Sequence, residues 1–90
     1  MFTIPTVNVI ASDDGFSVEV LGRTGVCYAE RGKTMTIDSE VLAGPSGLVL
    51  YTDSIKNWDD GESVDNATRQ RIVESVRAAL RFRGLEIQVQ

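Results

Sequence analysis

Through the first part of the chain, apolar and polar residues exchange places at every second position, the period of an extended strand. Val7, Val9 and Ala11 alternate with Asn8 and Ile10, and the run stops at Ser12-Asp13-Asp14-Gly15. That cluster supplies a turn with a residue tolerant of positive φ, so a first strand and a hairpin are expected there. Phe16, Val18 and Val20 share one parity, which should bury the aromatic face and leave Glu19 in water. Gly22 to Gly25 reads as the next turn. Val26, Tyr28 and Glu30 alternate with Cys27, Ala29 and Arg31, and Lys33 to Ile37 alternates again with Met35 and Ile37 on one side. Glu40 to Gly47 carries the proline and glycine punctuation of a loop. Leu48 to Tyr51 is apolar throughout, as expected of a strand covered on both faces or placed centrally.

The period changes from Asn66 to Arg83, where Ile72, Val76 and Leu80 recur at fourfold spacing beside Val73 and Ala79, drawing one apolar stripe on a helix. Asp65 or Asn66 can cap its start, and Gly84 stands where a left-handed C-terminal cap belongs. Leu85, Ile87 and Val89 alternate once more as a closing strand. These runs predict a single α+β domain over residues 1–90: an antiparallel β-sheet of about five to six strands, one long C-terminal helix packed on one face, and a final short strand.

Charge adds a second pattern. Thirteen acidic against nine basic residues give a net charge of −4, which argues against a protein built to hold nucleic acid by its phosphates. Asp53, Asp59, Asp60, Glu62 and Asp65 crowd one connection with only Lys56 to offset them, and five arginines follow on the helix. The chain's only tryptophan, Trp58, sits inside that acidic connection. It can be a plug that closes a small core, or an aromatic anchor ringed by carboxylates on a surface that a partner reads. On a mobile connection the carboxylates would also attract a cationic partner.

Candidate chemistry is sparse. The chain has no histidine, the commonest general base near neutral pH and the commonest metal ligand. Its lone cysteine, Cys27, has no basic residue beside it and reads as a small buried filler. Asp59 and Asp60 are adjacent and would point apart, a poor start for a two-carboxylate or magnesium site. Gly44-Pro45-Ser46-Gly47 precedes a strand and lacks the Lys-Ser/Thr of a phosphate loop. No catalytic set, cofactor or metal is therefore expected. Neither a signal-like start nor a long apolar run is present, so the expected setting is the reducing cytoplasm, without membrane contact.

Glu40 to Gln90 resembles the immunity protein 74 family, bacterial immunity proteins of polymorphic toxin systems. The resemblance rests on a Glu-led loop (Glu40, Leu42), an aromatic-ended strand (Leu48 to Tyr51), Asp53-Ser54-Ile55 followed by Trp58, a helix with Arg71-Ile72, and Gly84 before a closing strand. It implies an α+β domain that binds and neutralises a cognate toxin in the cytoplasm without catalysis. Opposed charge would suit an acidic inhibitor to a basic, nuclease-type toxin. The expected toxin-binding residues are Asp53, Trp58, Asp59, Asp60 and Glu62. The alternatives are a small binding or regulatory module with an unknown protein or small-molecule ligand, and a small enzyme working with Asp and Glu alone.

Overall fold

The computed structural model describes residues 1–6, 8–22, 24–41 and 47–90. Val7, Arg23 within the Gly22 to Gly25 turn, and Leu42 to Ser46 of the loop lie outside the described residues. Strands β1 (Phe2–Thr6), β2 (Val9–Ser12), β3 (Phe16–Val20), β4 (Val26–Glu30) and β5 (Lys33–Ile37) form an antiparallel meander in sequence order. Strands β6 (Ser39–Val41), β7 (Leu48–Leu50) and β8 (Ile87–Val89) form a second, three-stranded sheet in the order β6-β7-β8. The α-helix among the described residues, α1, runs from Asn66 to Phe82. The α+β fold class follows the sequence patterns, with one difference: β7 is the middle strand of the small sheet rather than part of the large one.

Hydrogen-bonded neighbours build the core row by row. Ile10, Val18, Tyr28 and Met35 face one another across β2 to β5, each 0–1 % exposed. Helix α1 lays Ile72, Val73, Val76, Ala79 and Leu80 against this face. Burying a side chain such as Ile72 or Leu80 stabilises by about 1.5–3 kcal/mol before entropy is subtracted. Asp65 caps the helix, its Oδ1 accepting from the Thr68 N–H at 2.7 Å, and Gly84 leaves it at φ +91°. A left-handed residue at that point frees the chain to turn back, which lets Leu85 N–H reach the Leu80 carbonyl at 2.8 Å and aims β8 at β7.

Three expectations fail for identifiable reasons. The alternating run expected as the first strand is the second, β2, with Ile10 buried, and β1 precedes it at the sheet edge, where Pro5 is tolerated because one row of backbone groups faces away from the sheet. Glu40 and Val41 are strand, not loop. Cys27 is half-buried on the face opposite the core, not inside it. Burial there, with Glu19 and Asp59 nearby, pushes its thiol up, so it is less ionised than a free cysteine.

Candidate functional site

The acidic connection between β7 and α1 is held by three apolar residues. Ile55 is 0 % exposed, Trp58 6 % and Val64 8 %, and all three belong to the core. The Trp58 ring ends a line of aromatic contacts: Phe82 to Phe2 (5.4 Å), Phe2 to Phe16 (6.0 Å), Phe16 to Tyr28 (5.8 Å) and Tyr28 to Trp58 (6.2 Å). Lys33 Nζ stands over the Trp58 ring, 5.9 Å from its centroid. Trp58 is therefore a structural anchor, and the polar residues around it are carried to the surface on its back.

Those polar residues form a closed, hydrogen-bonded loop. Asn57 bridges Ser63, Trp58 N–H donates to the Glu62 carbonyl (2.8 Å), Gly61 N–H to the Trp58 carbonyl (2.9 Å), and Val64 N–H to the Lys56 carbonyl (2.9 Å). Edge strand β5 pins the loop from outside: Asp59 N–H donates to the Thr34 carbonyl (2.8 Å), and Thr34 Oγ1 donates to Asp59 Oδ2 (2.7 Å). Lys33 Nζ pairs with Asp60 Oδ2 at 3.3 Å and, more closely, with Glu62. The Glu62 N–H, assisted by Lys33, holds the Asp60 carboxyl below the usual carboxylate range, while Glu62 and then Asp60 raise Lys33. Asp59, Asp60 and Glu62 thus sit together as an exposed array of fixed shape, with Lys33 cancelling part of the charge.

Asp53 does not join them. It lies on the short 3₁₀ turn Thr52–Ser54, whose Ser54 Oγ accepts from the Asp38 N–H at 2.8 Å, whereas Asp59 is tied to Thr34. At about 3.3 Å per residue along an extended strand, those anchor points are roughly 13 Å apart. Asp59 and Asp60 also turn to different partners, so the convergence that carboxylate-only catalysis would need is not found in Asp53, Asp59 and Asp60. Among the described residues, no three acidic or cysteine side chains gather as a metal-binding group.

A buried ionic cluster was not anticipated from the sequence. Glu30, 9 % exposed, points to the helix side of β4 and accepts from Arg71 through two bonds, Nη1 to Oε1 at 2.6 Å and Nη2 to Oε2 at 2.9 Å. Tyr28 Oη donates to the same Oε1 at 2.6 Å. Arg71 first, then the Tyr28 hydroxyl, holds the Glu30 carboxyl below its ordinary range, and burial, followed by the Glu30 bond, pushes Tyr28 up to about 12. The signal was present: Glu30 shares its parity with Val26 and Tyr28. Arg71 clips the helix to the sheet beside the aromatic line.

The fold and these clusters define a helix-on-sheet α+β domain that carries an exposed, hydrogen-bonded carboxylate array. A family model for immunity protein 74 matches residues 17–90. The chain belongs to the immunity protein 74 family. No curated protein and no solved structure gives a significant match.

Proposed function

We propose that this chain is a non-catalytic immunity protein that binds and neutralises a cognate toxin in the cytoplasm through the acidic array Asp59, Asp60 and Glu62. The family membership supports the inhibitor role, and no helix among the described residues is long and apolar enough to cross a membrane. The observation that carries the site assignment is the fixed loop: three carboxylates are exposed, preordered by backbone bonds and anchored to β5 through Lys33 and Thr34. A surface that is already ordered loses little conformational entropy when a partner binds. Its negative charge speeds encounter with a basic toxin, as a nuclease would be. Trp58 contributes by holding the loop in place beneath the contact, and Asp53 enters as a separate contact on the 3₁₀ turn beyond the end of β5.

The test is binding of purified toxin to a variant carrying Asp59→Asn, Asp60→Asn and Glu62→Gln. Association should slow and lose its dependence on salt, while the thermal melt stays cooperative. Affinity and salt dependence equal to those of the unaltered protein would rule the array out as the contact.

A further inference from the structure

Among the described residues, β1 ends the large sheet on one side, and its outer row of backbone groups has no strand to pair with. The other edge is occupied: the Thr34 carbonyl of β5 accepts the Asp59 N–H of the acidic loop. Alternation along β1 sets which groups face out. The Asp13 N–H donates to the Met1 carbonyl at 3.1 Å and Thr3 stands opposite Ala11, so Met1 and Thr3 turn their backbone groups to β2 while Phe2 and Ile4 turn theirs away. The register breaks between Thr3 and Thr6, and Pro5 has no N–H to give, so pairing on the outer side stops after Ile4.

The side chains along this edge are apolar and in water. Ile4 is 44 % exposed, and Phe82, whose ring centroid lies 5.4 Å from that of Phe2, is 51 % exposed. Ile4 shares the parity of Phe2, which puts it on the helix side of the sheet with Phe82. From Phe2 to Ser12 the sequence holds no charged side chain, in a chain whose net charge is −4. Sheet edges are ordinarily protected by charge, and an edge without it is a template for another strand.

We infer that this edge receives a second copy of the chain, β1 against β1, antiparallel about a two-fold axis at Thr3. In that register Phe2 of each copy exchanges N–H and C=O bonds with Ile4 of the other, and no outward group of either residue is left over. An axis at Phe2 or at Ile4 pairs that residue with itself and leaves the other without a partner. The same two-fold sets Phe2 and Phe82 of one copy beside Ile4 of the other and covers the exposed apolar surface. Charge selects the occupant: two acidic copies repel, and β1 lets them meet with no like charges opposed, whereas a basic protein is drawn to the carboxylates at β5. Four strand spacings of about 4.8 Å separate β1 from β5, so the acidic array stays open on each copy. The pairing does not depend on the inhibitor reading.

Sedimentation velocity should show monomer and dimer in exchange, with a midpoint between about 10 μM and 1 mM, the weak range of a small interface. Ile4→Lys should raise the dissociation constant at least about tenfold with the thermal melt unchanged. Val41→Lys, at the 48 % exposed end of β6, should leave it as it is. The axis makes Thr3 its own non-hydrogen-bonded neighbour, with Cα atoms about 4.5 Å apart, within disulfide reach. In a Cys27→Ser background, Thr3→Cys should therefore link two chains in oxidised glutathione, and Thr36→Cys, on the exposed face of β5, should not. A monomer throughout that concentration range, a dimer indifferent to Ile4→Lys, or equal linkage at positions 3 and 36 would each overturn the proposal. Slowed amide exchange at Phe2 and Ile4 only on adding purified toxin would assign the edge to the toxin and refute self-association.

Discussion

Replacing Arg71 with Met tests how the helix is fastened to the sheet. The substitution keeps the aliphatic stem but removes both guanidinium bonds, at 2.6 and 2.9 Å, from a carboxylate that is 9 % exposed. Glu30 then retains only the Tyr28 hydroxyl. Hydrogen bonds to a charged group contribute about 1.5–3 kcal/mol each, and breaking a fully buried pair costs about 3–5 kcal/mol. The Arg71 side chain is 50 % exposed, so water can replace much of what it supplies. That discount brings the expected loss to about 1–2 kcal/mol. In a 90-residue domain this is a sizeable part of a total of roughly 5–13 kcal/mol. Urea unfolding followed by Trp58 fluorescence should show a midpoint lower by about 1–2 M, for a slope near 1 kcal/mol per molar. The decisive measurement is the cycle with Glu30→Gln, which should give a coupling of about 1 kcal/mol or more. Additive effects of the two substitutions would refute the clip. The pH dependence supplies the sign: because the Glu30 carboxyl is held low in the folded state, its contribution is present above the ordinary carboxylate range and is lost as pH falls through the folded value. The gap between the unaltered protein and Arg71→Met should therefore close below about pH 4.

Val76→Asp should abolish the cooperative melt seen by circular dichroism, because Val76 is 0 % exposed and an unpaired buried charge costs several kcal/mol. Trp58→Ala should destabilise by about 3–5 kcal/mol in chemical denaturation, followed by circular dichroism, through the lost ring contacts and the cavity left behind; a cost near zero would deny its anchoring role. Tyr28 is pushed up to about 12, so its contribution is complete below the unfolded value near 10 and disappears as pH rises from there through the folded value. Denaturation midpoints measured across that alkaline range should fall more steeply for the unaltered protein than for Tyr28→Phe.

The sequence by itself determined which residues share a face. Parity correctly separated Val18 from Glu19 and placed Met35 and Ile37 together, and fourfold spacing with Asp65 and Gly84 at the ends located the helix. These features are local: they follow from the two side-chain periods and from the unpaired backbone groups at helix ends. Where local signals conflicted, as with Pro5 in β1, the pattern gave no strand and an element was missed. Only the tertiary structure decided which faces meet. Pairing β7 with the distant β8 in parallel made a second sheet, and docking α1 turned Glu30 from a surface residue of a strand into the buried partner of Arg71. The same long-range packing sank Trp58, brought Lys33 and Thr34 against Asp59, Asp60 and Glu62, and left Asp53 apart. A run of carboxylates in sequence carries no record of such neighbours, since contacts between distant segments depend on how whole elements stack and not on the spacing within any one of them.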